Sequence, residues 1–203
     1  MIRGERERMH PDFRIIAIVS ESPAARNVME RALQFPEVPI GIMLRDPSHN
    51  PQIVRSLAIS LQSETIPSNV RIIVNGCTVD GVNLCHLTTH ELIEGVQPAG
   101  SFGVSTHSLE EAFLAETSGA SYITFSPVFR TRSKPESHPV GLGGLQECCA
   151  RIDLPVFALG GITSVEKVHA SLLSGAWGVA GISFALEENI FEEIVIALQR
   201  DGK

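Results

Sequence analysis

The sequence predicts an α/β fold, a single (β/α)8 TIM barrel. Three observations carry that prediction. Eight short runs rich in apolar and β-branched residues recur along the chain, at 14–20, 39–45, 70–75, 80–84, 102–105, 121–126, 155–159 and 178–183. Most are almost continuously apolar, as parallel strands buried on both faces are. Helix-like stretches separate them, which is the βαβα order of a parallel α/β fold. A doubly wound open sheet is the alternative, and the strand count favours the barrel.

The chain opens on MIRGERERMHPD. This stretch is charged and lacks both an apolar run and a small-residue cleavage site, so it does not read as a secretory signal. Residues 1–12 are expected to form a polar, partly disordered leader, and 13–203 the single barrel domain. Residues 51–64 read as a helix through Ile53, Val54, Leu57, Ile59 and Leu61. The link between the third and fourth strands is expected to be lean, only 76–79. Ser108-Leu-Glu-Glu111 has the form of a capping box, with Ser108 as N-cap and Glu111 at N3. Leu109, Ala112, Phe113 and Ala115 then make the buried stripe, and Gly119 ends it. Thr163-Ser-Val-Glu166 repeats the pattern and ends at Gly175. Residues 187–199 supply the last helix.

Composition excludes several classes. At 203 residues, 43% hydrophobic and 19% charged, the chain can bury a sizeable core. A net charge of −7 argues against a nucleic-acid surface. No apolar run approaches the roughly 18 residues of a membrane span. Cys77, Cys85, Cys148 and Cys149 form no CxxC pair, which favours reduced thiols in the cytoplasm over disulfides or a zinc site. Oligomeric state stays open, a homo-oligomer included.

Barrel active sites lie at the C-terminal ends of the strands. The candidates are therefore Arg45, Asn75-Gly76, Cys85-His86, Ser105 to His107, the loop 126–135, Gly160-Gly161 and Ser183. Gly160-Gly161 after strand seven, and Gly181 with Ser183 after strand eight, stand where barrels often hold phosphate. Glycines let an oxyanion approach backbone N–H groups, and a helix start adds donors. The loop SPVFRTRSKP (126–135) places Thr131, Ser133 and Lys134 beside that site, in a chain with lysine only at 134, 167 and 203. These are charge-assisted or hydroxyl donors suited to phosphate or pyrophosphate. His86 and His90 have i,i+4 spacing without the HExxH glutamate. His86, Ser105 and His107 are the candidates for proton transfer; His10, His49, His138 and His169 read as surface residues. No strand end offers an Asp pair, and Asp80 opens its strand at the wrong end of the barrel, so no metal ligand is assigned.

Four segments carry a family resemblance: 103–112 (GVSTHSLEEA), 119–134 (GASYITFSPVFRTRSK), 155–162 (PVFALGGI) and 175–183 (GAWGVAGIS). Through them the chain resembles the thiamine phosphate synthase/TenI family of barrels, clearly from about 102 to 184 and more weakly back to 39. The resemblance implies a small-molecule partner, a thiazole phosphate and, in one branch, a pyrimidine pyrophosphate. Synthases join the two, using Mg²⁺ to help pyrophosphate leave. TenI-like members move a proton on a thiazole phosphate, an aromatising tautomerisation. Ser105, Thr131, Ser133 and Lys134 match the pyrimidine/pyrophosphate pattern. Gly160, Gly161 and Ser183 match the phosphate pattern, and Arg45 the strand-two arginine. The synthase pattern Gln-Leu-Arg-x-Lys reads Met43-Leu-Arg-Asp-Pro47 here, its Asn-Asp reads Asn75-Gly76, and its second metal aspartate falls near Thr88. Both Mg²⁺ carboxylates are absent, a TenI-like pattern, yet Pro127 stands where TenI proteins place a histidine. The resemblance thus implies a thiazole tautomerase first. A synthase with a modified Mg²⁺ site and a non-catalytic thiazole-phosphate binder are the alternatives.

Overall fold

The structure, a computed structural model, describes residues 11–98, 100–131, 136 and 138–201. Eight parallel strands close into a barrel in chain order. They are β1 (Ile15–Val19), β2 (Ile40–Leu44), β3 (Val70–Asn75), β4 (Leu84–Thr88), β5 (Ser101–Thr106), β6 (Tyr122–Phe125), β7 (Val156–Leu159) and β8 (Gly178–Gly181). Ile15, Ile16 and Ala17 of β1 pair with Val179, Ala180 and Gly181 of β8 and seal the ring. The helices outside are α1 (Ser22–Ala32), α2 (Pro51–Gln62), α3 (Thr89–Ile93), α4 (Leu109–Thr117), α5 (Gly141–Arg151), α6 (Val165–Leu173), α7 (Ser183–Leu186) and α8 (Glu188–Asp201). Among the described residues, no helix is long and apolar enough to cross a membrane.

The continuous apolar runs are explained by two separate cores. Side chains alternate across a strand. Ile15, Ala17, Val19, Ile40, Ile42 and Leu44 pack outward under the helices. Ile16, Ile18, Met43, Ile73, Tyr122, Phe157 and Ala180 pack inward, with Phe13. The inner core rests on an aromatic floor. Tyr122 meets Phe13 edge-on at 5.9 Å and Phe157 at 5.4 Å, and lies stacked against His86 at 5.5 Å.

Strand four departs from its predicted place. The run 80–84 is a turn-rich connection, and the strand starts only at Leu84. Gly81 has φ 81°, a turn conformation that the apolar neighbours Val79 and Val82 disguised. The β3–β4 connection is therefore 76–83 and carries no helix, and Asp80 lies within it. The shift puts Cys85 and His86 inside β4 rather than past it. His90 belongs to α3, so the two histidines do not share a helix face.

The caps also differ. The full capping box lies at α3, where Thr88 accepts from the Glu91 N–H and Glu91 accepts from the Thr88 N–H. At α4, Ser108 caps as expected, but the Glu111 carboxylate accepts from His107 N–H at 2.6 Å instead of closing the box. At α6 the N-cap is Ser164, and the Thr163 hydroxyl accepts from Lys167. We expect Thr88→Ala to lower stability by about 1 kcal/mol, read by urea denaturation, because the α3 donors lose their acceptor.

Candidate active site

The strand register brings the C-terminal ends together around one cavity of about 530 Å³. Arg45, Asn75, His86, Ser105, His107, Thr131, Gly160, Gly161, Gly181 and Ser183 all line it. Ser133 and Lys134 lie outside the described residues. His49 and His138, read from sequence as surface residues, also line this mouth although both are exposed. Thr88, Thr124 and Ser126 complete the polar side, and Pro127 lies beside them. The signal that could have found the two histidines was their place in the loops after β2 and β6.

No aspartate or glutamate lines the cavity among the described residues. The carboxylates nearby are engaged elsewhere. Asp46 turns back into its own loop, accepting from Ser48 Oγ and from Asn50 N–H, and the Ser48 bond leads the lowering of its pKa. Glu91 is held by the α3 cap, and its Oε1 fills the space over Gly76, 2.8 Å from where a Cβ would stand. Arg45 forms no ion pair with a described residue. In a chain of net charge −7, the mouth thus gathers a guanidinium and four imidazoles.

A Mg²⁺ ion of the kind synthases use would need carboxylate oxygens here. The described residues that line the cavity do not fit it. Gly76 and Thr88 occupy the expected positions, and the Asn75 amide donates at 3.0 Å to the His86 carbonyl. No group of three or more His, Cys, Asp or Glu that could hold a metal occurs among the described residues.

Gly160 and Gly161 adopt φ of 99° and 70°. A Cβ on Gly160 would stand 2.9 Å from Pro127, and one on Gly161 2.4 Å from the Arg130 carbonyl. The glycines therefore let the loop after β6 lie directly on the turn after β7, with Val128 N–H bonded to Leu159 O at 2.8 Å and Phe129 N–H to Gly160 O at 3.0 Å. Lys167 pins the same turn by donating to Gly161 O at 2.8 Å.

The two cavity histidines considered for proton transfer are held very differently. His107 Nδ1 lies 2.8 Å from the Ser126 carbonyl, which only accepts, and 3.1 Å from the Ser126 hydroxyl, which can accept as well, so in the neutral ring Nδ1 carries the proton and Nε2 the lone pair. His86 is 1% exposed, with Nδ1 3.2 Å from Tyr122 Oη and Nε2 2.9 Å from Ser105 Oγ. Burial, with a smaller push from the Arg45 guanidinium, lowers its pKa from 6.5 to about 3. Its imidazole is neutral with both nitrogens occupied, which suits positioning rather than proton transfer. Between those two pKa values the unfolded chain binds a proton that the folded chain does not. The stability this group contributes is therefore fully present above about pH 6.5 and is lost, by about 1 kcal/mol per pH unit, as pH falls toward 3. Urea titrations at pH 7 and 5 should show this loss in the wild type and a smaller one in His86→Asn. Equal losses would contradict a buried neutral imidazole. Burial disfavours the thiolate at all four cysteines, raising Cys77 and pushing Cys85 and Cys148 up to about 12 and Cys149 to about 11.

Comparison with known proteins identifies the family. A family model described as thiamine monophosphate synthase, TMP-TENI, matches residues 15–185. A protein of Aquifex aeolicus named putative thiamine-phosphate synthase 2 is 46% identical over 109 residues, 53% of this chain and 58% of that protein. That match spans less than two thirds of the relative's length. The thiamine-phosphate synthase of Methanocella arvoryzae is 34% identical over 157 residues, 72% of this chain and 74% of that protein. Among solved structures, thiamine phosphate pyrophosphorylase from Pyrococcus furiosus shares the fold, with a TM-score of 0.69 over 93% of this chain and 96% of that one at 22% identity. Since the family model spans the barrel from β1 to α7, the protein belongs to the thiamine monophosphate synthase/TenI family.

Proposed function

We propose that the protein is a metal-independent isomerase of thiamine biosynthesis, which moves a proton on a phosphorylated thiazole carboxylate to give the aromatic tautomer. One observation carries the reading: the cavity gathers the Arg45 guanidinium with hydroxyl and imidazole groups and no carboxylate among its described lining residues. Such a mouth suits a ligand with more than one negative charge and does not suit a Mg²⁺-pyrophosphate pair. In this reading the N–H groups around Gly160, Gly161 and Gly181, with the Ser183 hydroxyl, hold the phosphate. Arg45 and Thr131 face the second anionic group, and Ser133 and Lys134 follow Thr131 in the sequence. Asn75 keeps β3 and β4 in register beneath them. His107 Nε2 takes the proton, and the Ser126 carbonyl stabilises the resulting imidazolium through Nδ1–H. The same imidazolium then returns the proton. The unpaired thiols fit a reducing, cytoplasmic setting.

The test is the absorbance change of a thiazole carboxylate phosphate incubated with the protein in EDTA. Catalysed aromatisation supports the reading, and a rate equal to the uncatalysed one overturns it. The names of the Aquifex and Methanocella relatives favour a second reading, a thiamine-phosphate synthase. It requires Mg²⁺-dependent pyrophosphate release from the pyrimidine pyrophosphate with thiazole phosphate. Tight thiazole phosphate binding with neither reaction would leave a binder.

A further inference from the structure

Tyr122 is fully buried, and among the described residues its hydroxyl has a single hydrogen-bond partner, His86 Nδ1 at 3.2 Å. Two tautomers of the neutral imidazole are conceivable. If Nδ1 donated to the phenol, the phenol O–H would be left without an acceptor in a site without water access, at a cost of the order of 1–3 kcal/mol. If the phenol donates to Nδ1, both groups are satisfied. Nδ1 is then unprotonated, and the ring proton sits on Nε2. Nε2–H points at Ser105 Oγ, 2.9 Å away, with Thr124 Oγ1 a weaker second acceptor at 3.4 Å. The Ser105 oxygen thus accepts from the imidazole, so its own proton is directed away from His86. Ser105 is only partly buried and lines the cavity.

We infer that Tyr122 and His86 form a hydrogen-bond relay that presents the Ser105 hydroxyl to the cavity as a donor, for an acceptor atom of the bound molecule. Tyr122 and His86 are positioning residues, and Ser105 is the group that touches the ligand. The inference does not depend on the isomerase reading, because a donor hydroxyl serves binding whatever reaction follows. The packing explains why the relay stays in place. The Tyr122 ring is wedged between Phe13, Phe157 and the His86 ring, and Gly103 gives it room.

The test is a long-range nitrogen–proton NMR spectrum of the full chain labelled with ¹⁵N-histidine. The His86 signals are identified by their disappearance in His86→Asn, or by their displacement in Tyr122→Phe if that variant does not fold. The relay predicts a pyrrole-type Nε2 and a pyridine-type Nδ1 for His86. The opposite tautomer overturns it. A binding titration with thiazole phosphate reads the consequence. Ser105→Ala should weaken binding about tenfold, one hydrogen bond's worth. Tyr122→Phe, which frees the tautomer, should weaken it in the same direction while Ser105 is still present. Unchanged affinity in Ser105→Ala overturns the donor assignment even where the tautomer is as predicted.

Discussion

His107→Asn is expected to lower turnover of a thiazole carboxylate phosphate by about 10²–10⁴-fold, the usual contribution of a positioned general base. Asparagine keeps an N–H near the position of Nδ1, so the bond to the Ser126 carbonyl can persist, and only the lone pair of Nε2 is removed. Because the side chain is exposed at the mouth, the thermal midpoint should stay close to that of the wild type. Affinity for thiazole phosphate should also change little, since the phosphate is assigned to the turns after β7 and β8. A variant that turns over at the wild-type rate would remove His107 from the mechanism. A variant that loses binding and turnover together would make it a binding residue instead.

Gly103→Ala should destabilise the protein by about 3 kcal/mol or prevent folding, the upper range for overpacking a core. An added Cβ would stand 2.2 Å from Cζ of Tyr122 and 2.5 Å and 2.6 Å from its two Cε atoms. The ring has nowhere to retreat, because Phe13 and Phe157 enclose it and β5 is paired on both sides. Urea denaturation measures the effect. The double variant Gly103→Ala/Tyr122→Leu should recover part of the loss by removing the ring that clashes. An alanine variant as stable as the wild type would contradict the placement of Tyr122 in the barrel floor.

The barrel was legible because its strands are buried on both faces. Seven of the eight apolar runs correspond to strands, with ends that differ by no more than two residues. The fourth was misplaced because its inward residue is a histidine. His86 interrupts the apolar pattern inside β4, while Val79 and Val82 supply a false one in the turn before it. The mouth was legible through the rule that sites sit at strand ends, and the candidates Arg45, Ser105, His107, Gly160 and Ser183 do share one cavity. Roles were less legible than positions. Spacing places His86 and His107 at the ends of neighbouring strands, but not the Tyr122 hydroxyl behind one and the Ser126 carbonyl beside the other. Those partners come from β6 and from the residue just after it, 36 and 19 residues further on, and only the closed barrel brings them together. The glycine pair shows a similar gap. Sequence marked it for phosphate, while the structure adds a packing reason, the loop after β6 lying against it.

The most direct test of the account is proton NMR of a thiazole carboxylate phosphate in D₂O with EDTA and the full chain. His107 is open to solvent and exchanges its proton with it, so the account predicts catalysed aromatisation with solvent deuterium at the carbon that receives the proton. No acceleration over the protein-free control would contradict the account. So would turnover that appears only when Mg²⁺ and the pyrimidine pyrophosphate are supplied.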